Sequence, residues 1–260
     1  MNSNDFRYIW RGKQLGSLSQ QELTLLEPGE RRNGKTNKAL LLLHGFSSSP
    51  AVYRYLIPQI KNYDAIISPL LSGHGDSIQT FSQAKAADWL LSAETSCQRL
   101  INEFQQVDVL GLSLGGLLAC ELSRRFQLNH LYLLAPALKL HMSTKRMLKL
   151  ARFLKKTGFI QLRNGAGNII SKEHAEIAYR RLPITTITEM LILADEYQWV
   201  PPNCPVDLFL GQDDLVVDSK KVEALFSPLA NTTIHWLTHS AHVLPLDNDL
   251  DKIVECINKG

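Results

Sequence analysis

The sequence predicts an α/β protein whose central sheet is mostly parallel and is flanked by helices. A continuous apolar run occurs at residues 39–43, and largely apolar runs occur at residues 107–112 and 206–210. Such runs are typical of parallel strands, which are covered on both faces. Helical patterns separate the runs, and strands that alternate with helices imply right-handed crossovers within one sheet. A polar loop containing glycine follows each run, which marks the point where the strand ends.

The elements follow in a regular order on both sides of one interruption. We predict further strands at residues 65–69, 131–134 and 234–237, and helices at about 84–104, 114–126, 219–226 and 249–258. The alternation stops after residue 138, and residues 139–204 show helical patterns and turns but no convincing strand. We therefore predict a core formed by residues 1–138 and 205–260. A helical insertion at 139–204, named here the cap segment, would cover the carboxyl edge of the sheet. Within 1–38 we expect a candidate strand at 6–10 and a strand or short helix at 20–26, and we assign no function.

Length, charge and cysteine content restrict the kind of protein this chain can be. A chain of 260 residues can form one large α/β domain or a core with an insertion. Its formal charge of +3 is too small to indicate a nucleic-acid partner, and none is predicted. The four cysteines lack Cys-x-x-Cys spacing, which favours free thiols in a reducing compartment. No run of 18 apolar residues occurs and the N-terminus is polar, so we predict a cytoplasmic protein.

The stretch from Gly111 to Gly115 has the pattern of a nucleophile elbow. Ser113 lies between the two glycines, directly after an apolar strand and directly before a helical pattern. A turn this tight forces the serine into an unfavourable backbone conformation. Its flanking positions must then lack a side chain, because strand and helix nearly touch there. We therefore predict that the Ser113 hydroxyl stands at a helix N-terminus, whose dipole favours developing negative charge.

An elbow serine requires two partners. A serine hydroxyl is a poor nucleophile unless a base removes its proton and a third group orients that base. Candidates for both occur in order after the last two predicted strands. Asp213 and Asp214 follow one strand, and His239 and His242 follow the other. A serine, an acid and a histidine in the loops after three different strands indicate a catalytic triad more specifically than the elbow does by itself.

Five short motifs share one known pattern. They are His44-Gly45-Phe46, Gly73-His74-Gly75, Gly111-Leu112-Ser113-Leu114-Gly115, Gly211-x-x-Asp214-x-x-Val217 and Ser240-Ala241-His242-Val243. Together they resemble the α/β-hydrolase superfamily and, within it, small bacterial carboxylesterases and monoacylglycerol-lipase-like enzymes. The resemblance covers residues from about 39 to 258. It implies Ser113 as nucleophile, His242 as general base and Asp214 as orienting acid. It also implies an oxyanion hole formed by the backbone N–H groups of Phe46 and Leu114.

The motif spacing favours one residue of each candidate pair. The distance from Gly211 to Val217 selects Asp214 over Asp213, and the histidine motif selects His242 over His239. We interpret Asp218 as the N-cap of the following helix rather than as a catalytic acid.

Supporting roles are expected for residues next to these motifs. Gly45, Gly111 and Gly115 would permit close backbone approach. We expect His44 to brace the oxyanion loop by hydrogen bonds, and His74 to support the loop before the third helix. His235 lies inside a predicted strand, and we expect it to be structural. The remaining histidines, His130, His141 and His174, are scattered, and no pair has metal-ligand spacing on a shared element. We therefore predict no metal and no cofactor.

The sequence thus predicts a serine hydrolase of carboxylic esters that acts through an acyl-enzyme. The family resemblance implies short- to medium-chain esters or monoacylglycerols as substrates. A thioesterase acting on acyl-CoA or acyl-carrier protein is the close alternative. A binding protein on a hydrolase scaffold without turnover, or a membrane-surface effector, is the alternative of another class. Epoxide hydrolases and dehalogenases are disfavoured because they have an aspartate where Ser113 stands.

The cap segment contains an unusual concentration of positive charge. Between residues 141 and 172 there are eight basic residues and no acidic one. Lys145, Lys149, Arg152 and Lys156 share one face of a predicted helix, and Met147, Leu150, Ala151 and Leu154 lie on another. A solvated face above an apolar face packed on the core explains this pattern most simply. Peripheral contact with an anionic membrane, or with an acidic substrate, is the functional interpretation.

Overall fold

The computed structural model describes residues 2–260 and contains the predicted parallel sheet. The strands are β1 Phe6–Trp10, β2 Lys13–Ser17, β3 Gly29–Arg32, β4 Lys38–Leu43, β5 Ala65–Ser68, β6 Gln106–Leu112, β7 His130–Leu134, β8 Gln161–Arg163, β9 Glu176–Tyr179, β10 Arg181–Pro183, β11 Val206–Gly211 and β12 Thr232–Leu237. Seven of them form the central sheet in the order β12-β11-β7-β6-β4-β5-β3. Every neighbouring pair in this sheet is parallel except β3 with β5.

The apolar runs are buried on both faces of the sheet, as their continuity predicts. Leu41 and Leu43 of β4 belong to one hydrophobic cluster, whereas Leu40 and Leu42 belong to another. The two clusters alternate because successive strand side chains point to opposite faces. The sheet therefore has a packed hydrophobic layer on each side.

Helices cover these two layers. They are α1 Ile78–Gln83, α2 Ala86–Glu103, α3 Leu114–Arg125, α4 Thr144–Lys156, α5 Ile184–Glu196, α6 Ser219–Phe226 and α7 Leu250–Lys259. Asp218 caps α6 as predicted, since its side chain accepts the Lys221 N–H. The helix predicted from about residue 84 begins at Ala86, and the separate short helix α1 precedes it. Within residues 2–260, no helix has the length and apolar character needed to cross a bilayer.

The cap segment contains strands as well as helices, so the expectation of no strand in 139–204 is wrong. Besides α4 and α5 it includes β8, β9 and β10, each of three or four residues. β9 pairs antiparallel with β1, placing Ile9 opposite Glu176. Strands this short carry little periodic signal, and the partner of β9 lies about 170 residues away along the chain. The N-terminal segment is therefore joined to the cap segment by a small sheet of β2, β1 and β9.

The residues of the predicted site lie at one edge of the central sheet. β4, β6, β11 and β12 run parallel, so the loops that follow them emerge at the same edge. These loops contain Phe46, Ser113, Asp214 and His242.

Candidate active site

The turn that carries Ser113 is strained in the manner the sequence predicts. Ser113 has φ 55° and ψ −112°, a conformation that residues with a side chain rarely adopt. A Cβ added to Gly111 would lie 2.2 Å from the carbonyl oxygen of Gly115. A Cβ added to Gly115 would lie 1.9 Å from the carbonyl oxygen of Leu43. The elbow therefore closes only because both flanking positions lack side chains.

Ser113, His242 and Asp214 form a continuous chain of hydrogen-bonding distances. Ser113 Oγ lies 3.0 Å from His242 Nε2, and His242 Nδ1 lies 2.8 Å from Asp214 Oδ2. An ionised carboxylate can only accept, so Nδ1 carries the proton that is donated to Asp214. Nε2 is then free to accept the Ser113 hydroxyl proton. All three side chains are buried, with at most 9% of each residue exposed.

The Asp214 carboxylate is fixed by its own loop. Its Oδ1 accepts the backbone N–H groups of Val216 and Val217 at 2.7 and 2.8 Å, which leaves Oδ2 for the imidazole. The neighbouring Asp213 is exposed. The structure thus brings Asp214, and not Asp213, to His242.

The histidine loop places only one of its two histidines at the serine. His239 is 73% exposed, and its Nδ1 lies 3.7 Å from a carboxylate oxygen of Asp249. The Asp247 carboxylate accepts the Ala241 N–H at 2.8 Å and anchors the loop directly before His242. His242 itself is buried.

The surroundings of His242 raise its pKa above the usual value of 6.5. Burial lowers this pKa, but the charge of Asp214 and its hydrogen bond raise it by more. The negative charge of Glu176 raises the pKa further. The imidazolium is therefore stabilised at the position where a proton taken from serine would reside.

Two backbone donors lie near the serine, one in the loop after β4 and one at the start of α3. Leu114 is the first residue of α3, so its N–H has no partner within the helix. Phe46 lies in the loop after β4, and a Cβ added to the preceding Gly45 would lie 3.5 Å from the Ser113 Cβ. Neither N–H has an acceptor within residues 2–260. Both can therefore receive an anionic oxygen next to Ser113.

His44 and His74 support the Phe46 loop from beneath. His44 Nδ1 donates to the Gly45 carbonyl at 2.9 Å, and its Nε2 accepts the Leu71 N–H at 3.1 Å. His74 Nε2 accepts the Ser47 N–H at 3.3 Å. His74 therefore contacts the Phe46 loop. It also contacts its own loop, where its Nδ1 lies 3.3 Å from the Ser72 carbonyl oxygen. Burial lowers the pKa of His44 to about 4 and lowers that of His74 well below its usual value of 6.5, so both rings are neutral.

The cap segment supplies residues that no sequence motif identifies. The Asn168 carbonyl accepts the N–H groups of His242 and Val243 at 3.0 and 3.2 Å. Its side-chain oxygen accepts the Leu215 N–H at 2.9 Å. Asn168 thus holds the acid loop and the histidine loop together. An asparagine in a stretch without regular structure gives no periodic signal, so only the tertiary contacts reveal this role.

A cavity of about 240 Å³ opens beside the serine, lined by both the core and the cap segment. Phe46, Ser113 and His242 line it from the core, and Asn164 and Glu176 from the cap segment. Glu176 is 6% exposed, accepts the Gly167 N–H at 2.8 Å, and has a pKa raised by burial. The cavity is therefore largely apolar with a polar group opposite the imidazole.

Comparison with known proteins is consistent with this geometry. Residues 40–255 match the alpha/beta hydrolase family. The thermostable monoacylglycerol lipase of Bacillus sp. (strain H-257) is 26% identical over 238 residues, covering 88% of this chain and 91% of that protein. A structure of the metagenome-derived lipolytic enzymes LipS and LipT has a TM-score of 0.78 at 23% identity, covering 90% of this chain and 98% of that one. Monoacylglycerol lipase of Paleococcus ferrophilus has a TM-score of 0.65 at 18% identity, covering 90% and 98%.

The predicted fold and the predicted resemblance are both confirmed. The mostly parallel seven-stranded sheet flanked by helices is shared with lipases and esterases of known structure. The family match extends over most of the chain, from β4 to α7. This chain is a member of the α/β hydrolase family that resembles monoacylglycerol-lipase-like esterases.

Proposed function

We propose that this protein is a serine hydrolase that cleaves carboxylic esters through an acyl-enzyme. Ser113 attacks the acyl carbonyl carbon while His242 Nε2 takes the hydroxyl proton. The carbonyl oxygen becomes an oxyanion held by the N–H groups of Phe46 and Leu114. His242 then returns the proton to the leaving alkoxide. Asp214 keeps the imidazole in the required tautomer and stabilises its charged form.

The second half of the reaction uses the same groups. Water enters after the alcohol leaves, and His242 takes a proton from it as it attacks the acyl carbonyl. The tetrahedral intermediate collapses, the ester bond to Ser113 breaks, and His242 returns the proton to the serine oxygen. The acid product and the free enzyme result, so no cofactor is required.

The observation that carries this proposal is the pair of contacts at His242. Its Nε2 lies 3.0 Å from Ser113 Oγ and its Nδ1 lies 2.8 Å from Asp214 Oδ2. A fluorophosphonate probe followed by peptide mapping tests it directly. We expect one label per chain, on Ser113, and none in the Ser113→Ala variant. A folded wild-type sample that does not react would favour the alternative of a binding protein without turnover.

The cavity supports an ester whose alcohol part bears hydroxyl groups. Asn164 and Glu176 line a largely apolar cavity with polar side chains. An acyl chain cannot form hydrogen bonds with such groups, whereas hydroxyl groups can. A monoacylglycerol has both an acyl chain and two free hydroxyls, and the Bacillus relative is a monoacylglycerol lipase. We therefore propose monoacylglycerols, or short- to medium-chain acyl esters, as the substrate class.

A thioesterase is the alternative favoured by the positive charge of the cap segment, which would suit the phosphates of acyl-CoA. Hydrolysis of monoacylglycerol and of acyl-CoA with the same acyl chain separates the two. We expect kcat/KM to be higher for the monoacylglycerol by about tenfold or more. The opposite order would assign the enzyme to thioesters.

We further propose that the cap segment is an insertion that shapes the acyl site and meets a membrane surface. Leu150 was expected on the apolar face of α4, but it is 48% exposed, and only Leu148 and Ala151 of this helix are fully buried. Phe153 is also exposed, at 62%. Two exposed apolar side chains therefore belong to the same helix as the basic side chains of Lys145, Lys149, Arg152 and Lys156. This combination of exposed apolar and basic groups is typical of helices that lie on anionic lipid.

Vesicle co-sedimentation tests this surface. We expect binding to vesicles that contain phosphatidylglycerol and little binding to pure phosphatidylcholine. Phe153→Ser should weaken it, because the substitution removes apolar area that would enter the interface. Leu91→Ser is the matched control, since Leu91 of α2 is 60% exposed and lies outside the cap segment. Binding that is indifferent to lipid charge, or equally weakened by the control, would refute the membrane contact.

A further inference from the structure

A cluster of metal-binding side chains lies away from the active site. Asp207 is the second residue of β11, His235 lies within β12, and Cys256 lies on α7. One ligand atom from each of the three lies within 4.8 Å of the others. Ser113 and its partners follow the carboxyl ends of the strands, whereas Asp207 is near the amino end of β11. The cluster is therefore independent of the catalytic machinery.

The separations within the cluster approach those of a metal site. His235 Nε2 lies 2.6 Å from Asp207 Oδ1 and 3.9 Å from Cys256 Sγ. Nitrogen, oxygen and sulfur ligands of one tetrahedral Zn²⁺ lie about 3.3–3.6 Å apart, given the usual bond lengths. Each of these two separations would therefore change by less than about 1 Å on zinc binding. Changes of this size are within the reach of side-chain rotation at a partly exposed position.

The surroundings favour ligand binding at this place. The side chains of Asp207 and His235 are 14% and 32% exposed, so an ion can reach them. His130 Nε2 lies 2.8 Å from the second carboxylate oxygen, Asp207 Oδ2. That contact fixes the carboxylate and leaves Oδ1 directed at His235. Carboxylates that bind metal ions in proteins are themselves held by hydrogen bonds of this kind.

We propose that Asp207, His235 and Cys256 bind Zn²⁺ at a site with three protein ligands. One sulfur, one imidazole nitrogen and one carboxylate oxygen form a donor set that suits zinc better than magnesium or calcium. Water completes the tetrahedron. When the zinc–sulfur bond forms, the thiol proton passes to solvent, and the imidazole binds through Nε2 with its proton on Nδ1. The ion would join the edge strand β12 to β11 and to the C-terminal helix α7.

Cobalt substitution tests the proposal without reference to enzyme activity. Tag-free, reduced full-length protein is titrated with Co²⁺, which gives visible d–d bands in a tetrahedral site and a near-ultraviolet charge-transfer band with thiolate. We expect both at one equivalent, and their loss when Zn²⁺ is added. Cys256→Ser should abolish the charge-transfer band. His130→Gln should keep the spectrum and weaken affinity about 10–100-fold, as expected for a residue that orients a ligand.

Matched variants keep the test decisive. His235→Gln should lose Co²⁺ binding, whereas His239→Gln, which removes an exposed imidazole just after the same strand, should not. Wild-type protein should also melt at a higher temperature with Zn²⁺ than with a chelator, and His235→Gln should not. The two histidine variants decide the matter even if Cys256→Ser does not fold. A spectrum without a thiolate band, or equal loss of affinity in both histidine variants, would overturn the proposal.

Discussion

Gly115 lies so close to the Leu43 carbonyl that a Cβ added to the glycine would be 1.9 Å from that oxygen. The contact joins α3 to β4, and backbone cannot move aside as a flexible side chain can. We therefore expect Gly115→Ala to lower the free energy of unfolding by about 3 kcal/mol, the upper part of the range for overpacking. Urea unfolding measures it as a lower midpoint with an unchanged slope.

The matched control for this substitution is Gly16→Ala. No atom lies within 4 Å of a Cβ added to Gly16, so its free energy of unfolding should change by less than about 0.5 kcal/mol. Equal effects of the two substitutions would show that close approach does not explain the elbow glycine.

His242→Ala should abolish ester hydrolysis, whereas His239→Ala should retain most of it. Only His242 reaches Ser113 Oγ, at 3.0 Å, and His239 is 73% exposed. Loss of a triad histidine costs about 10⁴-fold or more in kcat. Steady-state hydrolysis of a chromogenic ester by both variants measures the difference, and the reverse result would reassign the base.

Asp214→Asn should lower kcat by about 10⁴-fold while the protein remains folded. An amide that donates to Nδ1 would place the imidazole proton on Nε2, which could then no longer accept the proton of Ser113. Asp213→Asn, at an exposed position, should retain activity within a few fold. The ratio of the two kcat values is the measurement, and similar values would exclude Asp214 as the orienting acid.

The activity should decrease as the pH is lowered, with an apparent pKa above 6.5. His242 acts as a base only when neutral, and its surroundings raise its pKa. At any given pH more of the imidazole is then protonated than for an ordinary histidine, so kcat/KM declines as pH falls through this raised value. A pH profile of kcat/KM with the acid limb clearly below 6.5 would contradict the assignment.

Glu176→Gln should move this acid limb to lower pH. The negative charge of Glu176 raises the pKa of His242, and the amide removes that charge while keeping the shape. Glu173→Gln is the control, because Glu173 is exposed in the same part of the chain. An unshifted profile in the Glu176 variant would show that the two groups are not coupled.

The fold and the site loops were predictable because their signals are local. The run at residues 39–43 is apolar throughout, and β4 is buried accordingly. The glycines around Ser113 are required because the turn leaves no space for a side chain at either position. Ser113, Asp214 and His242 each follow a predicted strand, so a parallel sheet brings their loops to one edge.

The strands of the cap segment were not predictable in this way. β9 pairs with β1, and its four residues are too few to show the period of a strand. Asn168 and Glu176 act through contacts with loops far away along the chain. The sequence around such residues contains no motif that would identify them as part of the site.

The sequence by itself determined the parallel sheet, the elbow and the identity of the candidate nucleophile, since hydrophobic period and turn sterics are properties of consecutive residues. Tertiary structure alone decided that Asn168 and Glu176 lie near His242, and that Asp207 meets His235 and Cys256. Distances between side chains on separate elements depend on how those elements pack, and spacing along the chain does not encode that packing.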